Sequence, residues 1–346
     1  MKIKEWGHLH QLRMWLRMEP HAIILLYHRI VDIDSDPQLL CVSPRFFEEH
    51  LEIINRYYRP IHLQYLRERL RRGNGLHRSV VITFDDGYAE NLYQAKPLLE
   101  RYGVPATFFL TSGYIGQGRE FWWDDLERLL LGPSQLPRDL RVMVNGHFYR
   151  WDLGDSATWN GDMAPDHLEW DVTCPEVPTP RHEVYRTLHR LLKPLDSKKR
   201  SSVLEGLAKT TGVAMEGRST HRALTSEEVQ QLSKGELVEI GAHTVTHPQL
   251  SALSVKEQSW EIRESRRSLE NLTNRLVMSF SYPFGSRGDF DDVAADLIRE
   301  SGFQQACAAV PGVVTHKSDP YKLPRFIVQN WDGDEFTQRI RSAFES

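Results

Sequence analysis

Cysteine is scarce in this sequence. Only Cys41, Cys174 and Cys307 occur in 346 residues. An odd number at such wide spacing builds neither a disulfide framework nor a cysteine-type zinc site, and it fits a reducing compartment. Long apolar runs are missing too. Nothing approaches the roughly 18 residues of a membrane span, and the first twenty residues lack the apolar core of a signal peptide. These absences lead to the expectation of a cytoplasmic protein. There is no excess of one charge: the net charge is −4 and the pI about 6.4. That leaves no broad basic field for nucleic acid. No stretch resembles a phosphate-cradling loop, so nucleotide hydrolysis has no support.

Hydrophobic residues make up 40% and charged residues 26% of the chain, the balance of a globular protein with a sizeable core. Residues 1–20 place Lys2, Lys4, Arg13 and Arg17 among Trp6, Leu9, Leu12, Trp15 and Leu16. This pattern predicts an N-terminal helix docked on the domain's own surface; the alternative is peripheral contact with a membrane.

From residue 21 the chain alternates. Apolar, β-branched runs at 22–27, 80–84, 105–110, 237–242, 277–282, 305–310 and 322–328 read as strands. Helix signals fall between them. Ser43-Pro44 is an N-cap followed by a first-turn proline. Thr225 with Glu228, and Ser254 with Glu257, are capping boxes. About seven strands alternating with helices predict an α/β architecture with a parallel sheet, most economically a closed or nearly closed barrel. The rhythm breaks at 113–222, where Phe121-Trp122-Trp123-Asp124-Asp125 is followed by an Asn145-Gly146 hairpin signal and a Pro- and Trp-rich stretch. The expected plan is an N-terminal helix (1–20), a barrel from 21–112 and 223–346, and an insertion (113–222) after the third strand that serves as a lid or substrate wall.

In a parallel α/β barrel, chemistry sits at the C-terminal ends of the strands. Four strands here end in reactive groups: His28, Asp85-Asp86, His243 with His247, and Arg325. Two adjacent carboxylates at the end of a buried strand repel each other unless a cation or hydrogen bonds hold them ionised. His243 and His247, with Pro248 blocking a helix through the pair, can join one carboxylate in a His₂-Asp site with open positions. That ligand set suits Zn²⁺ or another divalent transition metal. An ion there lets one acid ligate while the other stays ionised as a base.

Thr83-Phe84-Asp85-Asp86-Gly87, His243-Thr244-Val245-Thr246-His247-Pro248 and Tyr282-Pro283-Phe284-Gly285, in this order, resemble three motifs of the polysaccharide deacetylases, carbohydrate esterase family four. The resemblance covers about residues 20–112 and 223–330. It implies a distorted (β/α)₇ barrel and metal-dependent removal of N-acetyl groups from amino sugars. By the motif matches, Asp86, His243 and His247 would bind the metal. Asp85 would be the general base, and the backbone N–H of Phe284 would help hold the oxyanion. Many members carry a late Leu-x-His acid; His316 is a poor match for it. The sequence is more similar to the branch with an N-terminal catalytic histidine, which makes His28 the expected acid. The family's arginine three residues before the Pro-Phe-Gly aromatic is replaced by Ser281, and the Asp-Trp motif is not recognisable, so Arg325 is the candidate to orient Asp85. The expected partner is an N-acylated amino sugar in a glycan or glycan precursor, with N-formyl as open as N-acetyl. Two other readings remain: an amidohydrolase on a non-sugar amide, and a catalytically silent carbohydrate-binding protein on the same fold.

Overall fold

A computed structural model describes residues 21–72, 76–159 and 165–345; the helix expected at 1–20 lies outside them. Seven parallel strands form the main sheet: β1 (Ala22–Tyr27), β2 (Ser79–Phe84), β3 (Ala106–Leu110), β4 (Val238–Ala242), β5 (Ser279–Ser281), β6 (Gln305–Cys307) and β7 (Phe326–Ile327). Their order is β6-β5-β4-β3-β2-β1-β7, and a short Arg59–Pro60 strand flanks the start of β2. The two ends of the order meet: Leu323 donates its N–H to Ala306 O, Ala308 to Leu323 O, and Arg325 to Val310 O. The sheet thus curls into a barrel.

β1 and β2 are buried at every position, as expected of strands covered on both faces. One set of alternate side chains (Leu25, Tyr27, Ile82, Phe84, Phe108) packs against the helices in the largest core cluster. The other set (Ile24, Val81, Phe109) joins Cys307 and Leu323 inside the barrel. Phe109 sets the sequence of its neighbour strand: a Cβ on Gly241 would come within 2.3 Å of that ring. The helix starts follow the sequence signals. Ser43, Thr225 and Ser254 all cap, the last two in complete capping boxes.

The segment between β3 and β4 has a hydrophobic core of its own. Trp122, Leu126 and Leu130 of the Trp122–Leu130 helix meet Tyr185 and Leu188 of Pro180–Leu192, Leu207 of Ser197–Thr211, and the inner face of the Asp139–Val144/His147–Asp152 hairpin. Asn145 and Gly146 make the hairpin turn with φ of 52° and 84°. Bridges Glu120–Arg222 and Tyr88–Ala223 pin both ends of the segment beside the barrel.

Some elements are shorter or differently wound than the sequence suggests. The expected strand at 322–328 is regular only at Phe326–Ile327, since Pro324 offers no N–H to a ladder. The helix between β2 and β3 opens with a π-turn at Asn91–Ala95, where Lys96 N–H bonds to Asn91 O, before Lys96–Tyr102 continues as α-helix. Pro97 lacks the N–H that would close the next regular turn.

Candidate active site at the barrel mouth

Asp85 and Asp86 follow directly on β2, and both are 3% exposed. Asp86 sits at the centre of a three-residue turn closed by Gly87 N–H to Asp85 O (2.9 Å), with φ of +72°. Phe284 is held the same way, with Gly285 N–H to Pro283 O at 2.7 Å and φ of +61°. Of eight non-glycine residues with positive φ among the described residues, Asp86, Thr244, His247 and Phe284 all lie at this mouth. Such strain persists only where the surroundings over-determine it. Gly285 cannot carry a side chain, because a Cβ would lie 2.5 Å from Ala309 N.

His243 ends β4, and its loop returns His247 to the same point. Glu261 accepts the N–H groups of Val245 (2.7 Å) and Thr246 (2.9 Å), and Arg200 donates to the carbonyls of Thr246 (2.9 Å) and His247 (3.1 Å). One ligand atom from each of Asp86, His243 and His247 lies within 4.8 Å of the others, and all three side chains are buried. Asp86 Oδ1 is 3.3 Å from His247 Nε2 and 3.5 Å from His243 Nε2, yet accepts no aligned hydrogen bond. His243 Nδ1 donates to the Ser281 carbonyl at 2.8 Å. In the neutral ring, Nε2 then presents a lone pair towards a carboxylate oxygen, which is repulsive unless a cation sits between them. The donor set fits a divalent transition ion.

Arg325 occupies the place left open by Ser281. It is fully buried and grips Asp85 at two points, Nη1 to Oδ1 at 2.8 Å and Nη2 to Oδ2 at 2.7 Å. Ser281 Oγ accepts from Arg325 Nη2 (2.8 Å) and donates to Asp85 Oδ2 (2.8 Å). Arg325 Nε donates to Ala308 O and Nη1 also to Thr83 Oγ1. Burial alone would raise the Asp85 carboxyl; Arg325, His243 and His28 outweigh it and hold Asp85 below the usual carboxylate range. Asp86 is lowered as well, since His243 and His247 overcome its burial. His243 is raised, its burial outweighed by Asp85 and Asp86, whereas burial brings His247 down to about 4.

His28, just past β1, lines the same cleft as Asp85, Asp86, His243, His247 and Phe284. Burial lowers its pKa, against the pull of Asp86 and Asp85. All seven residues singled out in the sequence therefore converge on one mouth. Trp123 and His189 of the insertion, and Gln38 and Leu40 of the loop after β1, also line the cleft, although none of them closes a barrel strand. The Phe121-Trp122-Trp123 run was the available signal. Most insertion aromatics pack in or against its own core, where Trp122, Trp170 and Tyr185 are buried.

A parallel barrel with paired acids and two histidines at its mouth defines a hydrolase-like site of the kind the sequence motifs suggest. The sequence pattern of the polysaccharide deacetylases matches residues 72–145 and 175–306, more than half of the chain, and the protein belongs to that family. YxkH of Bacillus subtilis, named for the same family, is 33% identical over 106 residues, which is 30% of this chain and only 37% of that relative. Among solved structures, IcaB from Ammonifex degensii aligns over 95% of this chain and 99% of its own with a TM-score of 0.57 and 14% identity. A de-N-acetylase from Aggregatibacter actinomycetemcomitans (92% and 99%, TM-score 0.54, 16% identity) is similar too. So is the Streptococcus pyogenes deacetylase PplD in complex with acetate (92% and 97%, TM-score 0.52, 15% identity). At these identities the likeness establishes the fold.

Proposed function

We propose that this protein is a metal-dependent N-deacylase that removes an acetyl or formyl group from an amino sugar in a glycan or glycan precursor. The observation that carries this reading is the buried Asp85-Asp86-His243-His247 cluster with Arg325 clamped on Asp85. Asp86, His243 and His247 would hold the ion, with Zn²⁺ suited to the donor set. When bound, such an ion supplies Lewis-acid polarisation of the amide carbonyl and makes water a better nucleophile. Asp85, ionised and fixed by Arg325 and Ser281, takes the proton of the attacking water. The Phe284 backbone N–H is assigned to the oxyanion. His28 delivers a proton to the departing amine, so that one proton is taken and one given as the C–N bond breaks. Trp123 and His189 give the insertion its role as a wall of the substrate cleft.

The deciding measurement is acetate and formate release by Zn²⁺-loaded protein from N-acyl amino sugars offered free, nucleotide-linked and polymeric. Release from at least one class, lowered about 10²-fold or more by Asp85→Asn, is the expected result. Release only from non-sugar amides would overturn the substrate assignment.

A further inference from the structure

A histidine that ligates a metal through one ring nitrogen usually donates the other N–H to a carbonyl or carboxylate, which fixes the ring's orientation. His243 follows this rule through Ser281 O. His247 does not. Its Nδ1 is buried without a hydrogen-bond partner. Packing takes the place of the missing bond: the ring meets Trp123 at 4.7 Å (63°) and Phe284 at 4.7 Å (78°).

Trp123 belongs to the insertion, and it is itself tied down. Its Nε1 donates to Tyr88 Oη (2.8 Å), Tyr88 donates to Asp124 Oδ2 (2.7 Å), and Phe121 stacks on its indole at 4.9 Å. Tyr88 lies two residues after Asp86, so this chain of contacts links the insertion to the loop carrying one proposed ligand and packs against another. A second contact is independent of it. Arg200, on the insertion helix Ser197–Thr211, holds the carbonyls of Thr246 and His247, whose loop carries Thr244 and His247 at φ of +64° and +53°.

We propose that the insertion is a clasp for the metal ligand His247, with Trp123 as the positioning residue for its ring and Arg200 for its backbone. This rests on the metal-site reading above. The family barrel supplies the three ligands, and the insertion supplies the order that the unpartnered Nδ1 does not. The clasp accounts for a tryptophan facing the metal site while most of the insertion's other aromatics serve its own core.

The test measures metal affinity, by competition with a chromophoric chelator, and the visible spectrum of the Co²⁺-substituted protein. Trp123→Ala and Arg200→Met should each weaken Zn²⁺ binding by roughly 10-fold or more, within the range for groups that orient a ligand, and should shift the Co²⁺ bands. Trp123→Phe, which keeps an aromatic edge at His247, should restore most of the affinity. Tyr88→Phe, which frees the indole N–H but leaves both cores filled, should give a smaller loss and guards against a Trp123→Ala chain that does not fold. Folded variants with wild-type affinity and unchanged Co²⁺ spectra would overturn the clasp while leaving the metal site intact. Wild-type protein that binds no ion would overturn the metal site, and the clasp with it.

Discussion

Arg325 and Asp85 stand 240 residues apart in the chain and meet in a fully buried, two-point ion pair closed by Ser281. The three groups form one unit: the guanidinium fork fixes both carboxylate oxygens, and the serine hydroxyl bridges Arg325 Nη2 and Asp85 Oδ2. Arginine suits the place because its planar fork matches a carboxylate in a way that an ammonium cannot.

Arg325→Lys should therefore keep the charge and lose the geometry, with turnover falling by about 10- to 100-fold. Arg325→Gln removes the charge that opposes burial. The Asp85 pKa then rises, its ionised form is lost sooner as the pH falls, and the acid limb of kcat/KM moves to higher pH. Ser281→Ala deletes the hydroxyl's two hydrogen bonds, from Arg325 and to Asp85, and leaves the ion pair, a loss of about 0.5–1.5 kcal/mol per bond. A pH–rate profile for the three variants checks this ordering; an unshifted acid limb in Arg325→Gln would detach Arg325 from the base.

The two neighbouring acids separate in a second experiment. Asp85→Asn should keep its metal, because Asp86, His243 and His247 remain, yet lose a factor of about 10² or more in turnover as the general base disappears. His243→Ala should hold no ion at all. Metal analysis beside single-turnover rates distinguishes the two, and full metal occupancy in His243→Ala would remove the ligand assignment.

His28 is tested by the leaving group. A general acid matters when the departing amine must be protonated and matters little when the leaving group is already stable as an anion. His28→Ala should lower turnover on an N-acyl amino sugar by about 10²-fold while leaving hydrolysis of 4-nitrophenyl acetate within a few-fold of wild type. Equal losses on both substrates would instead give His28 a structural role.

The sequence made legible what is local. Strand runs, N-caps and the acids and histidines at strand ends are written in neighbouring residues, and all of them stand in the fold. Arg325 was recognisable as a candidate because it closes a strand, but its bond to Asp85 depends on how the barrel curls. The insertion was the opaque part. Its packing gathers Trp122, Leu188 and Leu207 into one core and sets Trp123 against His247, contacts between distant segments with no shared period to betray them. Tyr88 illustrates the same limit: it stands beside the Asp85-Asp86-Gly87 motif, yet its use is set by Asp124 and Trp123 of the insertion.

Stability should fall on mild acidification, and His50 shows why. It is completely buried, stacked on Phe336 at 3.8 Å. Its Nε2 lies 2.7 Å from the Trp331 carbonyl, which can only accept, so Nε2 carries the hydrogen. Nδ1 must then accept from the Tyr27 hydroxyl at 3.2 Å. That neutral tautomer satisfies both ring nitrogens, and burial drives the pKa down to about 4. An unfolded chain takes up the proton near pH 6.5. The stability held by neutral His50 is therefore complete above about pH 6.5 and drains away as the pH falls towards 4, at up to about 1.4 kcal/mol per pH unit. His182, also buried and also lowered to about 4, acts in the same direction. Urea unfolding in the presence of a chelator, at pH 7.5 and pH 5, should show the wild type losing roughly 2 kcal/mol more than His50→Gln across that interval. The variant will start less stable, so the comparison is between slopes. Parallel pH dependences for the two proteins would mean that His50 carries no part of the acid sensitivity.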